Sequence, residues 1–163
     1  MPKWQLTTVV APATETVAET FLWYRPSPKL QIGTALLWKQ GSFRFLGNYE
    51  LIPERARTPN LRVGFGVQGI GTGNPGYFAT SEKSFRVKGG SVNAYVGVGF
   101  RSNENHGHLL GGIKYSPNGP WTLGLQDDGH DKHPFVTYSR RDWTVGFYLI
   151  GLRSPGLMFS IQR

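Results

Sequence analysis

The sequence predicts an all-β protein, a single antiparallel up-and-down barrel of about ten strands within a range of roughly eight to twelve. Three observations carry that expectation. Apolar residues alternate with small or polar ones over one segment after another, which is the period of a strand and not of a helix. The 163 residues include 22 Gly, 11 Pro, 5 Trp, 7 Tyr and 10 Phe, a balance that favours strands and turns. No stretch approaches the roughly 20 consecutive apolar residues that a membrane helix requires. The length suits one unit, so residues 1–163 are read as one domain.

The strands follow in order. A less regular one spans Phe21 to Arg25. In the next, Leu30, Ile32, Leu36 and Trp38 share one face while Gln31, Gly33 and Ala35 share the other. After the turn signal Gln40-Gly41, Phe43, Phe45, Tyr49 and Leu51 alternate with Ser42, Arg44, Asn48 and Glu50, and two such runs across so short a turn make a hairpin. Leu61, Val63, Phe65 and Val67 then alternate with Arg62, Gly64, Gly66 and Gln68. Val92, Ala94, Val96, Val98 and Phe100 alternate with Ser91, Asn93, Tyr95, Gly97 and Gly99. The remaining apolar faces are Leu109, Ile113 and Tyr115; Trp121, Leu123 and Leu125; Val136 and Tyr138; Trp143, Val145, Phe147 and Leu149; and Leu157, Phe159 and Ile161.

Alternation alone leaves open which face points inward. A soluble barrel buries the apolar face, whereas a membrane barrel turns it to lipid. The minority face decides between them. It carries Gly33, Gly64, Gly66, Gly97, Gly99, Gly112, Gly124 and Gly146, and glycine on a solvated strand surface only weakens the sheet. Small residues do pack well inside a narrow closed barrel, beside polar groups that pair there. Arg44, Glu50, Arg62, Gln68, Lys114 and Gln126 are therefore the expected lumen charges and polar groups. With them the lumen either plugs by pairing or offers an anion-preferring path. Aromatic residues bracket three short turns: Trp38 and Phe43, Tyr115 and Trp121, Tyr138 and Trp143. They are expected to form an interfacial girdle on one rim.

Two hairpins are near copies. Tyr115-Ser116, a turn and Trp121-Thr122-Leu123-Gly124-Leu125 match Tyr138-Ser139, a turn and Trp143-Thr144-Val145-Gly146-Phe147, at a spacing of 22 to 23 residues. The repeating unit is thus one hairpin, and a propeller blade of about 40 residues does not fit. From about Ser91 to Arg163, with Gly-Gly-Ile-Lys-Tyr at 111–115 and aromatic-flanked turns, the chain resembles bacterial outer-membrane β-barrels, and faintly the barrels associated with exopolysaccharide secretion. The resemblance implies a porin-like fold and an outer-membrane location, and it brings no catalytic residue. Met1 to Val10 has no secretory signal pattern, so that location expects a mature form.

Net charge is +8 with pI near 10.0, which suits an anionic membrane face or a glycolipid. The basic residues are scattered except for Arg55/Arg57 and Arg140/Arg141, too sparse a pattern to favour nucleic acid. Absence of cysteine excludes disulfides, thiolate nucleophiles and Cys-based metal sites. No nucleophile elbow or paired-carboxylate arrangement stands out, so the expectation is a protein that is not an enzyme and has no catalytic residue and no cofactor. Gly64-Phe65-Gly66 and Gly97-Val98-Gly99 sit within alternating strands with no helix following, which excludes a phosphate loop. The cluster Asp127, Asp128, His130, Asp131 and His133 offers the residue types that bind a divalent metal, although a solvated loop explains it as well. His106 and His108 fall in another loop, expected on the same rim.

The reading is a membrane barrel acting as a small channel or structural envelope component. Its partner is a lipid bilayer or glycolipid, with a homo-oligomer as a further option. The alternative is a soluble β-barrel module for an apolar ligand or a homo-oligomer, with Leu30, Phe65, Val96, Val98 and Phe147 lining its interior. A basic β-domain that coats nucleic acid comes third.

Overall fold

A computed structural model describes residues 2–68 and 71–163, without the side chain of Gln68. That last expected lumen group therefore lies outside the described residues. Twelve strands form one closed antiparallel barrel, each paired with its sequence neighbours and β1 with β12. They are β1 (Trp4–Val10), β2 (Ala18–Ser27), β3 (Leu30–Leu37), β4 (Ser42–Ile52), β5 (Asn60–Gln68), β6 (Asn74–Val87), β7 (Gly90–Arg101), β8 (Gly107–Pro117), β9 (Trp121–Asp127), β10 (Lys132–Arg140), β11 (Trp143–Ile150) and β12 (Ser154–Gln162).

Ten of these are the strands read from alternation, and β1 and β6 bring the count to twelve. The reason lies in their outward faces. In β6 that face runs Tyr77, Ala79, Ser81, Lys83 and Phe85, so its middle lacks the apolar signal even though this is the longest strand, at 14 residues. In β1 it runs Trp4, Leu6, Thr8 and Val10, with Thr8 and its neighbour Thr7 blurring the period. Both strands are held by pairing more than by their own pattern. β6 lies between β5 and β7, and β1 closes the ring with Thr7 opposite Ser160 and Thr8 opposite Phe159.

Inside, glycines make room for large rings. Trp23, Phe78, Tyr95 and Phe135 lie against Gly33, Gly64, Gly112 and Gly124 on neighbouring strands. A Cβ on Gly64 would fall 2.5 Å from Phe78 Cζ, closer than side-chain carbons approach one another, so these positions require glycine for space. Hydroxyls tie the strands between the rings: Thr7 to Ser160 at 2.8 Å, Ser116 to Thr122 at 2.9 Å and Ser139 to Thr144 at 2.9 Å. The last two are the same bond in the two copied hairpins, so the repeat extends to the inner face. The tight β10–β11 turn takes Arg141 to φ 49°, the left-handed geometry that matches strand twist in short hairpins.

The chain ends and the β2–β3, β4–β5, β6–β7, β8–β9 and β10–β11 connections share one end, called the terminal rim; the other connections form the distal rim. Tyr115, Trp121, Tyr138 and Trp143 stand at the terminal rim, with ring centroids 5.0 Å apart for Trp121 and Tyr138 and 5.7 Å for Tyr138 and Trp143. Trp4 and Tyr24 join them, 4.5 Å apart. Trp38 and Phe43 flank the β3–β4 connection and so stand at the distal rim, beside Tyr77 and Phe100 near the ends of β6 and β7. The expectation of one rim is corrected: two aromatic sets cap opposite ends, because the β3–β4 and β8–β9 turns open in opposite directions.

Candidate functional site

The apolar face points outward around the whole ring. Phe45 is 79 % exposed, Leu109 75 %, Tyr77 69 %, Phe43 68 % and Leu157 65 %. The residues that a soluble module would place in its core are on the outside as well: Phe65, Val96, Val98 and Phe147 are exposed, and Leu30, half-buried, shares the outer face with Tyr49 opposite it. Among the described residues the buried apolar set is Ala11, Ala18, Ala35, Leu37, Leu46 and Ile150, while Glu19, Asn60, Arg101, His108, His133 and Thr137 are among the buried polar ones. Polar inside and apolar outside inverts the usual order of a protein in water.

The lumen holds a cavity of about 810 Å³. Arg62, Lys114 and Gln126 line it as expected. Lys114 Nζ lies 3.6 Å from Glu82 Oε1, and Gln126 hydrogen-bonds the Tyr95 hydroxyl. Arg44 and Glu50 are on the inner face of β4 but are not among the side chains lining the cavity. Arg44 turns its Nη1 to the Phe43 carbonyl at 3.2 Å, and Glu50 is registered opposite Arg62. The charged lining is Glu19, Glu82, Asp127 and Asp128 with Arg62 and Lys114, and Asp127 and Asp128 have cations of their own in Lys132 and Arg101. Glu82 had no signal as a lumen group because β6 shows no alternation. Glu19 lies just before the expected start of its strand.

At the distal rim the β7–β8 and β9–β10 connections meet. Glu104, on the first, contacts His108 Nε2 through Oε2 and sits 3.0 Å from His130 Nε2 through Oε1. The rings lie tilted against one another in sequence, His106 to His108 with centroids 4.6 Å apart and His108 to His130 with centroids 4.2 Å apart. His106 Nδ1 lies 3.2 Å from Asn105 Oδ1. Arg101, buried beneath, reaches Asp128 Oδ1 at 3.4 Å, the Asp128 carbonyl at 3.3 Å and Glu104 Oε1 at 3.9 Å. The two histidine-bearing loops, expected on one rim, are thus in direct contact.

This arrangement alters which residues could hold a metal. Asp127 accepts from the Gly129 amide at 2.9 Å and pairs with Lys132 at 3.2 Å. Asp128 Oδ1 accepts the His130 and Asp131 amides at 3.0 Å each, fixing the turn. His133, almost fully buried, accepts the Gly151 amide on Nδ1 at 3.1 Å, which places the ring proton on Nε2; Nε2 lies 3.1 Å from Asp128 Oδ2, off the line of a straight hydrogen bond. Asp127, Asp128 and His133 are committed to the loop and the barrel wall, and Asp131 contributes its backbone to the turn. Among the described residues the set with convergent ligand atoms is Glu104, His106 and His108, with His130 alongside. From the expected cluster only His130 joins it.

Electrostatics fits these roles. Burial of Asp128 opposes its charge, but the His133 ring and the Asp131 and His130 amides outweigh burial and hold the carboxyl well below its usual range. Glu104 shows the same balance: desolvation raises its pKa, and hydrogen bonds from His130 and His108 more than reverse that. The terminal rim is strongly basic, with Lys3, Lys29, Arg55, Arg57, Lys88, Arg140, Arg141 and Arg163 all exposed there. Glu54 on the β4–β5 connection pairs with Lys83 at 3.3 Å and accepts the Ser84 amide at 2.9 Å, which ties that loop to the part of β6 extending beyond β5.

No protein-family model matches the chain, and no curated protein is significantly similar to it.

Proposed function

We propose that this protein is a membrane-spanning β-barrel of the outer-membrane type, serving as a small channel or a structural component of a bacterial envelope. One observation carries the reading: large apolar side chains cover the outside of a closed barrel, while its inside mixes charged and hydroxyl groups with aromatic and aliphatic ones. In water each such side chain forgoes about 1.5–3 kcal/mol of burial, and a hydrocarbon surround restores it. Supporting features are strands of 7 to 14 residues, comparable to the roughly 9–11 a tilted strand needs to cross a bilayer, and aromatic residues at both rims. Closure leaves no unpaired strand edge facing lipid.

Within this reading the lumen is the path. Twelve strands enclose more space than the side-chain-filled eight-stranded barrels and less than the porins, so only small solutes pass. The acids of the lining face cations at Lys114, Lys132 and Arg101, so the path is lined by paired charges rather than by one sign.

The test is refolding from denaturant into detergent micelles and, in parallel, into plain buffer. Sheet circular dichroism and heat-dependent gel mobility are expected only with detergent. A monodisperse sheet protein in buffer alone would sink the proposal.

A further inference from the structure

The lumen needs no histidines, yet three imidazoles gather around one carboxylate at the distal mouth. We infer that Glu104, His106, His108 and His130 form a binding site for a divalent transition-metal ion, with zinc-like preference, that joins the β7–β8 and β9–β10 connections.

The geometry brings three ligand groups together with a fourth alongside. One ligand atom from each of Glu104, His106 and His108 lies within 4.8 Å of the others, and His130 Nε2 lies 3.0 Å from Glu104 Oε1. In a tetrahedral site with bonds of about 2.0–2.1 Å, ligand atoms stand roughly 3.3 Å apart. His106 and His130 are exposed, so small rotations of their rings close the difference. Asn105 Oδ1 can only accept, so the 3.2 Å contact puts the His106 proton on Nδ1 and leaves the Nε2 lone pair free. Metal-binding imidazoles are usually oriented by such a bond on the other ring nitrogen.

The donor types select the ion. Three imidazole nitrogens and one carboxylate oxygen suit zinc, nickel or copper, whereas calcium and magnesium require mostly oxygen. The nearest cation, Arg101, is paired with Asp128 at 3.4 Å, which offsets its repulsion of a metal. Binding would fasten two connections that belong to separate hairpins, immediately above Asp127 and Asp128 of the lumen lining. The loops carry all four ligands or place them at a strand's first turn, so the inference stands whether or not the barrel lies in lipid.

The experiment uses the full chain, folded and checked by circular dichroism, with zinc titrated by calorimetry and cobalt(II) by visible absorption at about pH 8, above the usual imidazole range. One equivalent and a tetrahedral cobalt spectrum are expected. His106→Ala and His130→Ala, both exposed, should each weaken binding at least about tenfold, as loss of even an outer-shell partner does, and the double variant should abolish it. Asp131→Asn should leave binding unchanged. Absence of binding by folded protein, saturable binding that survives the double variant, or loss of binding in Asp131→Asn would each overturn the inference.

Discussion

Replacing Val96 with arginine distinguishes lipid from water around the barrel. Val96 sits near the middle of β7, 60 % exposed, registered between Ser81 on β6 and Gly111 on β8. Nothing overlies its side chain in the barrel, so the substitution creates no clash or cavity. In water such a change at an exposed site alters stability by about 0.5 kcal/mol or less. At the middle of a bilayer an outward arginine costs about 2–4 kcal/mol, or about 30- to 1000-fold in the folding constant. Val87 supplies the internal comparison: it also faces outward, 43 % exposed, but at the last residue of β6 beside the terminal rim. There the cost should drop to about 0–1 kcal/mol. The assay is reversible denaturant unfolding in lipid vesicles followed by tryptophan fluorescence, with wild type, Val96→Arg and Val87→Arg compared at equal lipid. Equal, near-zero effects at both depths would refute the reasoning, because only a hydrocarbon surround makes the penalty depend on depth.

Two further outcomes follow from the rims. Asp128 has a folded-state pKa depressed below its unfolded value, so its contribution to stability is fully present above about pH 4 and is lost as pH falls through the depressed value. Asp128→Asn should lower stability by about 1–3 kcal/mol by leaving buried Arg101 with only the more distant Glu104 carboxylate, and should flatten the acid limb of a stability-against-pH curve; an unchanged limb would disprove the assignment. At the terminal rim, Arg140→Ala with Arg141→Ala should weaken the barrel in anionic vesicles by about 1 kcal/mol per charge, an effect that fades with salt. In zwitterionic vesicles the same pair should be nearly neutral, and equal losses in both lipids would count against attraction of this rim to an anionic surface.

Much of the architecture was legible because it is written in a period-two code. Leu30, Ile32 and Leu36 opposite Gln31, Gly33 and Ala35 assign both faces of β3 from residue type alone, and the glycine-rich minority face correctly marked the inside. β6 was invisible since Ala79, Ser81 and Lys83 interrupt its outer face, and its place depends on what β5 and β7 present to it. The rim of Trp38 and Phe43 depends on a count of connections, so a reading that lacks β6 cannot relate the two halves of the barrel by parity. The mouth cluster was half legible: loop histidines and acids are plain in the sequence, but their pairing is set by barrel register. Glu104 stands two residues before His106, with nothing to single it out until His108 and His130 are brought to it. Asp127 and Asp128 looked like ligands because residue type does not reveal prior commitment to backbone amides and Arg101.

Trp4 and Arg163 exchange two backbone hydrogen bonds, at 2.7 and 2.9 Å, so the strand order is a ring and β1 is first only by convention. A short linker across this point and a new break in the β8–β9 or β10–β11 turn would leave every strand pair in place, and circularly permuted chains should close to the same barrel. The ring also constrains change of size. Antiparallel closure accepts strands only in pairs, and the copied unit at 115–125 and 138–147 is one such pair. A barrel with this construction can widen by duplicating a hairpin in one step, whereas gain or loss of a single strand would force two neighbours to run parallel.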